Sequence, residues 1–262
     1  MAEKRHGPLA RDGWLLAIES ATGAASAALW RGGETRDEEE AEPGVSAAAA
    51  LLPAIDRLLR RAGVGVPELA AFAVAIGPGS FTGLRIGVAT VKGLAFGSQA
   101  PVAAVSTLAA LARAAGDGPE PVVALLDARR GEVYGGAFRS GGEQADPCLP
   151  EGVFTAEQLI ARLPARCRLV GEGAPLVQGA LRAALGPGLT LAQESGLRAR
   201  PVAELGARLL ARGAGIPAAA LVPRYLRRAE AEVRRTGERF EAAANESGAP
   251  HGASFDGPDS VA

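Results

Sequence analysis

Gly77-Pro78-Gly79-Ser80-Phe81-Thr82-Gly83-Leu84-Arg85-Ile86-Gly87 sets two hydroxyls and a guanidinium inside a glycine-rich turn. The apolar run Ala71 to Ile76 leads into it, and a helix-like segment, Leu84 to Gly97, leaves it. Strand, glycine turn and helix start in that order gather free backbone N–H groups and the positive end of a helix dipole at one point. Such a point suits an anion, with Gly79, Ser80, Thr82, Gly83 and Arg85 as its contacts. It equally suits a closely packed backbone, because glycine leaves room where no side chain would fit. The phosphate-loop template is not met, since Leu84 rather than lysine follows Gly83 and Lys92 lies two turns further along. The dinucleotide fingerprint fails too, because Gly77-x-Gly79-x-x-x-Gly83 holds one residue too many.

Two carboxylates close apolar runs. Glu19, next to Ser20 and Thr22, could face a phosphate through water or Mg²⁺, or simply end a strand. Asp127 opens Asp127-Ala128-Arg129-Arg130-Gly131-Glu132-Val133-Tyr134, where the arginines could pair with it or sit in an ordinary solvated turn. The only histidines, His6 and His251, fall near the two ends. A folded body without imidazole excludes His-type zinc centres and Ser-His-Asp triads there, though not carboxylate-only magnesium chemistry.

The elements that would position these groups follow from hydrophobic spacing. Trp14 to Ser20 reads as a buried strand, Ala24 to Trp30 as its return, and Thr35 to Glu40 as a polar edge strand after a hairpin turn. Leu51, Leu52, Ile55, Leu58 and Leu59 recur at helical spacing within Ser46–Ala62, where Pro53 predicts a kink or a break. A strand at Val102–Val105 leads to a Ser106-Thr107 cap and a helix to Ala115. From near Gly118 the pattern repeats loosely. Strands at Val122–Asp127 and Val133–Arg139 precede a loop from Ser140, a capped helix Ala156–Leu163 and a strand Arg168–Gly171. Helices Pro175–Leu185 and Pro201–Ala211 complete this degenerate duplication. The expected organisation is a flexible N-terminal tail at 1–12, lobes at 13–117 and 118–213, a helical C-terminal segment at 214–235 and a disordered tail at 236–262. Gly83, Gly87, Ala89, Gly93 and Gly97 put small residues through one helix. Each internal glycine costs about 1 kcal/mol relative to alanine, so several together predict close approach by other backbones.

At 262 residues, 48% hydrophobic and 22% charged, the chain can bury a sizeable core. A net charge of −1 argues against a surface built wholly for nucleic acid. Arg224-Tyr225-Leu226-Arg227-Arg228 and Arg234-Arg235 are locally basic, but Glu230 and Glu232 dilute them, favouring a solvated terminal helix over an RNA-binding module. Cys148 and Cys167 lack metal-ligand spacing and read as reduced thiols of a cytoplasmic protein. No apolar run reaches the roughly 18 residues of a membrane-spanning helix.

In order along roughly residues 13 to 228, five motifs resemble the TsaB (YeaZ) family of the bacterial tRNA threonylcarbamoyladenosine machinery. They are Leu16 to Thr22, Gly77 to Gly87, Ser106-Thr107-Leu108, Asp127 to Tyr134 and Pro223 to Arg227. The resemblance implies an α/β, actin-like (ASKHA, ribonuclease H-like) duplicated two-lobe fold. It implies a non-catalytic subunit that pairs with and activates a paralogue, TsaD, which holds the ATP, the metal ion and the active site. It implies no cofactor of the chain's own, a TsaE-type ATPase as a further partner, tRNA met through the complex, and a homodimer as one state of the isolated chain. Family pairing uses the first two helices, here about Ser46–Ala62 and Leu84–Gly97. Leu51, Leu52, Ile55, Leu59, Gly83, Arg85, Gly87, Val88 and Lys92 are therefore the expected interface residues, and the glycine turn an expected nucleotide contact at that interface. Two departures stand out: Glu19 replaces the family's usual Asp, and Glu42-Pro43-Gly44-Val45-Ser46 lacks a frequent His. A self-sufficient ATP-dependent phosphotransferase of the actin/hexokinase fold is the alternative.

Overall fold

β1 (Trp14–Glu19) is covered on both faces, and its alternation sorts its side chains into two cores. Leu16 and Ile18 enter one, Leu15 and Ala17 the other. That two-sided burial is why the segment reads as a continuous apolar run. The structure, a computed structural model, describes residues 9–10, 12–139, 146–192 and 198–227.

β1 pairs antiparallel with β2 (Ser26–Arg31), which pairs antiparallel with β3 (Glu34–Glu40). On its other side β1 runs parallel to β4 (Leu69–Gly77), and β4 to β5 (Val102–Ser106). A second sheet holds β6 (Val122–Asp127), β7 (Val133–Arg139), β8 (Asp146–Phe154), β9 (Cys167–Val170) and β10 (Leu189–Leu191). The orders are β3-β2-β1-β4-β5 and β10-β9-β6-β7-β8, so counted from β8 the second sheet repeats the first strand for strand. The duplication that is loose in sequence is strict in topology, and the fold is the two-lobe, actin-like (ribonuclease H-like) α/β arrangement.

Helices recur with the strands. α1 (Ala47–Ala62) and α2 (Phe81–Leu94) cover the outer face of the first sheet. α4 (Ala156–Ile160) and α5 (Ala174–Leu185) cover that of the second. α3 (Thr107–Ala114) and α6 (Ala199–Ala211) fill the layer that both sheets share. Each crosses over: α3 packs on β6 and β7, while α6 packs on β1, β2, β4 and β5. The expected lobe 118–213 therefore gives its last helix to the first sheet. The reason is steric. A Cβ at Gly206 would stand 2.4 Å from that of Ala73, and the face of β4 turned to α6 carries only Ala71, Ala73 and Ala75.

Other expectations shift as well. α1 runs unbroken through Pro53, which lies on the exposed face where water can reach the carbonyl that loses its donor. α2 starts at Phe81, with Ser80 as its cap, instead of at Leu84. β8, with Pro147 and Pro150, is an edge strand where missing N–H groups are tolerated. The described part of the expected helix 214–235 is not helical. Ile216 bridges to Val102, Ala218–Ala220 forms one 3₁₀ turn, and residues 221–227 carry neither helix nor strand. Residues 1–8, 11, 140–145, 193–197 and 228–262 lie outside the described residues, and with them most of the expected N-terminal tail, the start of the loop expected from Ser140, Arg234-Arg235 and the expected tail 236–262.

Candidate functional site

The glycine turn and the β1–β2 turn meet backbone to backbone. Glu19 is fully buried at the end of β1 and accepts hydrogen bonds from Ala21 N–H at 2.7 Å, Thr22 N–H at 3.0 Å and Thr22 Oγ1 at 3.0 Å. Its carboxylate thus closes its own hairpin. Burial pushes its pKa up to about 7, against the pull of those hydrogen bonds. Ser20 Oγ donates to the carbonyl of Gly83 at 2.8 Å, and Ser80 N–H donates to that of Ala21 at 2.7 Å. A Cβ at Gly83 would stand 1.9 Å from Ser20 O, one at Gly79 2.4 Å from Ala21 O, and one at Gly77 2.2 Å from Arg224 O. These approaches account for the three glycines. Of the two uses open to this turn, close packing within the chain is built.

At the start of α2, Ser80 Oγ accepts from Gly83 N–H at 3.2 Å, so one of the helix's leading donors is spent on the cap. Thr82 is exposed beside it. Arg85 is engaged elsewhere: its Nε donates to Tyr225 Oη at 3.1 Å and its guanidinium lies 3.9 Å from the Phe81 ring centroid. Phe81 and Tyr225 in turn stack at 4.8 Å. Tyr225 is brought there by the proline-flanked stretch after Leu221, whose Arg224 N–H donates to Ile76 O at 2.7 Å. The Arg224 side chain donates to Glu151 Oε2 at 2.7 Å, and Glu151 Oε1 accepts from Ser106 Oγ at 2.5 Å. The sequence reads this stretch as locally basic, as a solvated terminal helix and, at Pro223 to Arg227, as one of the family motifs. Pro217 and Pro223 were the signal against a helix, and nothing local pointed to Glu151.

The expected interface residues divide by face. Leu51, Ile55 and Leu59 lie in the core beneath α1, whereas Leu52 is 53% exposed. Gly83 and Gly87 turn toward Ser20, and Val88 is buried in the same core as Leu51. Lys92 donates to Ala219 O at 3.3 Å. The outward side of α2 is Thr82, Arg85, Ala89 and Gly93, followed just past the helix by Phe96 at 91% exposure. Among the described residues nothing lies within 4 Å of a Cβ placed at Gly93.

In the second lobe, Asp127 Oδ1 accepts from Arg129 N–H at 2.6 Å. Arg129 and Arg130 both take left-handed backbone conformations there, with φ of 65° and 59°. Among the described residues no three His, Cys, Asp or Glu side chains gather as a metal site would require. Among them, too, no helix is long and apolar enough to cross a membrane.

Residues 46–183, over half of the chain, match the family model for TsaD: tRNA N6-adenosine threonylcarbamoyltransferase. The tRNA threonylcarbamoyladenosine biosynthesis protein TsaB of Haemophilus influenzae is 44% identical over 123 residues, covering 46% of this chain and 51% of that protein. The TsaB of Escherichia coli is 36% identical over 156 residues, covering 56% and 67%. The matched part thus spans about half of the first relative and two thirds of the second. A crystal structure from Pseudomonas aeruginosa, described as an uncharacterized protein with similarity to peptidase YEAZ, overlays with a TM-score of 0.72 at 35% identity. That overlay covers 82% of this chain and 100% of the other. By sequence and by fold alike, the chain belongs to the TsaB (YeaZ) family, within the wider TsaD family.

Proposed function

We propose that this chain is a non-catalytic subunit in the synthesis of tRNA N6-threonylcarbamoyladenosine, pairing with and activating a catalytic TsaD-type paralogue through the outward side of α1 and α2. One observation supports this reading above others: the polar groups best placed for chemistry are spent on the fold itself. Glu19 closes its own turn, Ser20 holds α2, and Arg85 is stacked on Phe81 and bonded to Tyr225. In this reading ATP and a metal ion belong to the partner, a TsaE-type ATPase joins the pair, and tRNA is met through the cytoplasmic complex. Ala89 and Gly93 form a shallow strip against which another helix can lie closely, with Leu52 and Phe96 as apolar anchors. The same strip would serve a homodimer of the isolated chain.

The test is co-purification with tagged TsaD, comparing the wild type with Ala89→Arg, whose fold is checked by circular dichroism. Ala89 is the choice because Val88, one position away, is buried in the core. The substitution should abolish the complex and leave the fold intact. An intact complex would show the contact to be misplaced. Turnover of Mg²⁺-ATP, or modification of tRNA, by this chain alone would overturn the non-catalytic role and favour the phosphotransferase.

A further inference from the structure

Away from α1 and α2, a groove of about 550 Å³ lies between the β2–β3 hairpin, α3 and α6. Its walls carry Trp30, Thr35, Arg113, Arg200, Glu204 and Arg208. The charges there do not cancel. Glu204 is taken up by Arg113, whose Nε donates to it at 2.8 Å, and Arg113 also reaches Asp117 at 3.1 Å. Glu34 at the rim is held by Arg36 at 2.6 Å. Arg200 uses only its backbone N–H, on Glu38, and among the described residues neither its guanidinium nor that of Arg208 has an ion pair or hydrogen bond. That leaves two guanidiniums without an ionic partner, two helical turns or about 12 Å apart along α6, within joint reach of their long side chains. Between and beyond them Ala207 and Ala211 keep the floor low.

A second observation points the same way. Thr35 Oγ1 is screened from solvent and among the described residues has no hydrogen-bond partner, although Thr35 borders this groove. A hydroxyl in that position is costly unless something entering the groove satisfies it. Beside it stands the half-buried Trp30, a flat apolar surface at the edge of a cationic hollow.

We propose that this groove binds a phosphorylated nucleoside, with its phosphate on Arg200 and Arg208, its base against Trp30 and a polar edge on the Thr35 hydroxyl. Guanidinium forks match phosphate oxygens in shape and charge. A phosphate monoester carries close to two negative charges at neutral pH, enough to engage both guanidiniums. Base stacking on an aromatic ring supplies sequence-tolerant affinity. The volume falls within the range of about 300–1,000 Å³ usual for small-molecule sites. The nucleotide can come free in solution or be presented by an RNA strand. None of the six residues lies on α1 or α2, so the site is independent of the proposed pairing face.

The chain has two tryptophans, so Trp14→Phe leaves Trp30 as the sole tryptophan reporter. Full-length protein of this background is titrated with AMP, adenosine, inorganic phosphate and a tRNA anticodon stem-loop, following tryptophan emission. Calorimetry on the unaltered chain repeats each titration without the reporter. AMP or the stem-loop should quench saturably, adenosine should bind about tenfold or more weakly, and added salt should weaken the binding. Arg200→Ala with Arg208→Ala should lower the affinity by about tenfold or more while circular dichroism stays unchanged. Binding of AMP identifies the free nucleotide as the source, and binding of the stem-loop alone identifies the RNA strand. Failure of both to bind at millimolar concentration, or an affinity indifferent to the double substitution, would overturn the proposal.

Discussion

Gly83→Ala and Gly93→Ala change the same residue type in the same helix and should move stability in opposite directions. At Gly83 the new methyl carbon would stand 1.9 Å from Ser20 O, where an unstrained carbon–oxygen contact needs about 3.3–3.6 Å. The obstacle is a backbone carbonyl in a turn held by Glu19, so it cannot swing aside as a flexible side chain would. Separating the two segments endangers the Ser20 Oγ–Gly83 O and Ser80 N–Ala21 O hydrogen bonds, about 1 kcal/mol each. Displacement strain adds about 1–3 kcal/mol, and the better helix propensity of alanine returns about 1. A net loss of roughly 2–4 kcal/mol follows. Gly93 meets nothing within 4 Å among the described residues, so there alanine should stabilise by up to about 1 kcal/mol. Urea unfolding of the full chain followed by circular dichroism measures both as shifts in midpoint. A Gly83→Ala midpoint at or above that of the wild type would refute the packing account of the glycine turn.

Glu19 carries a pH signature. Its carboxyl has an ordinary value of 4.5 and a folded value of about 7, so between them the folded state keeps a proton that the unfolded state has released. Stability should therefore be full below about pH 4.5, fall as pH rises toward 7 and level off above, by on the order of 3 kcal/mol. Glu19→Gln should flatten that slope and leave the chain more stable than wild type at pH 8; an unchanged slope in thermal melts across this range would place the titration elsewhere. Glu151→Ala should cost about 1–3 kcal/mol because it removes the hydrogen bonds of both Ser106 Oγ and Arg224, whereas Arg224→Ala, which removes one of them at a more exposed side chain, should cost less. Equal losses in urea unfolding would mean that Ser106 contributes nothing to that junction.

Sequence and structure agree where burial leaves a local trace. The central strands β1, β4 and β6 are legible because covering both faces demands unbroken apolar runs, and the caps at Ser106 and Thr155 are legible because their hydroxyls bond within three residues. β8 is not, since its prolines read as a loop and only its place at the edge of the sheet tolerates them. Nor is the crossing of α6, which Gly206 and Ala73 decide from opposite ends of the chain. The glycines of α2 mark the limit most clearly. Their spacing announces close approach, yet Gly83 is pressed by the turn after β1 while Gly93 is pressed by nothing among the described residues. Val88 and Ala89 repeat the point, since a helical turn of about 100° per residue sends one into the core and the other to solvent. Periodicity assigns residues to faces; which face meets a neighbour within the fold, and which is left for another molecule, is set by contacts hundreds of atoms away along the chain. For α2 that division is sharp, and in the proposed pairing the outward remainder, Ala89 and Gly93 with Phe96 just past the helix, is what a partner would recognise.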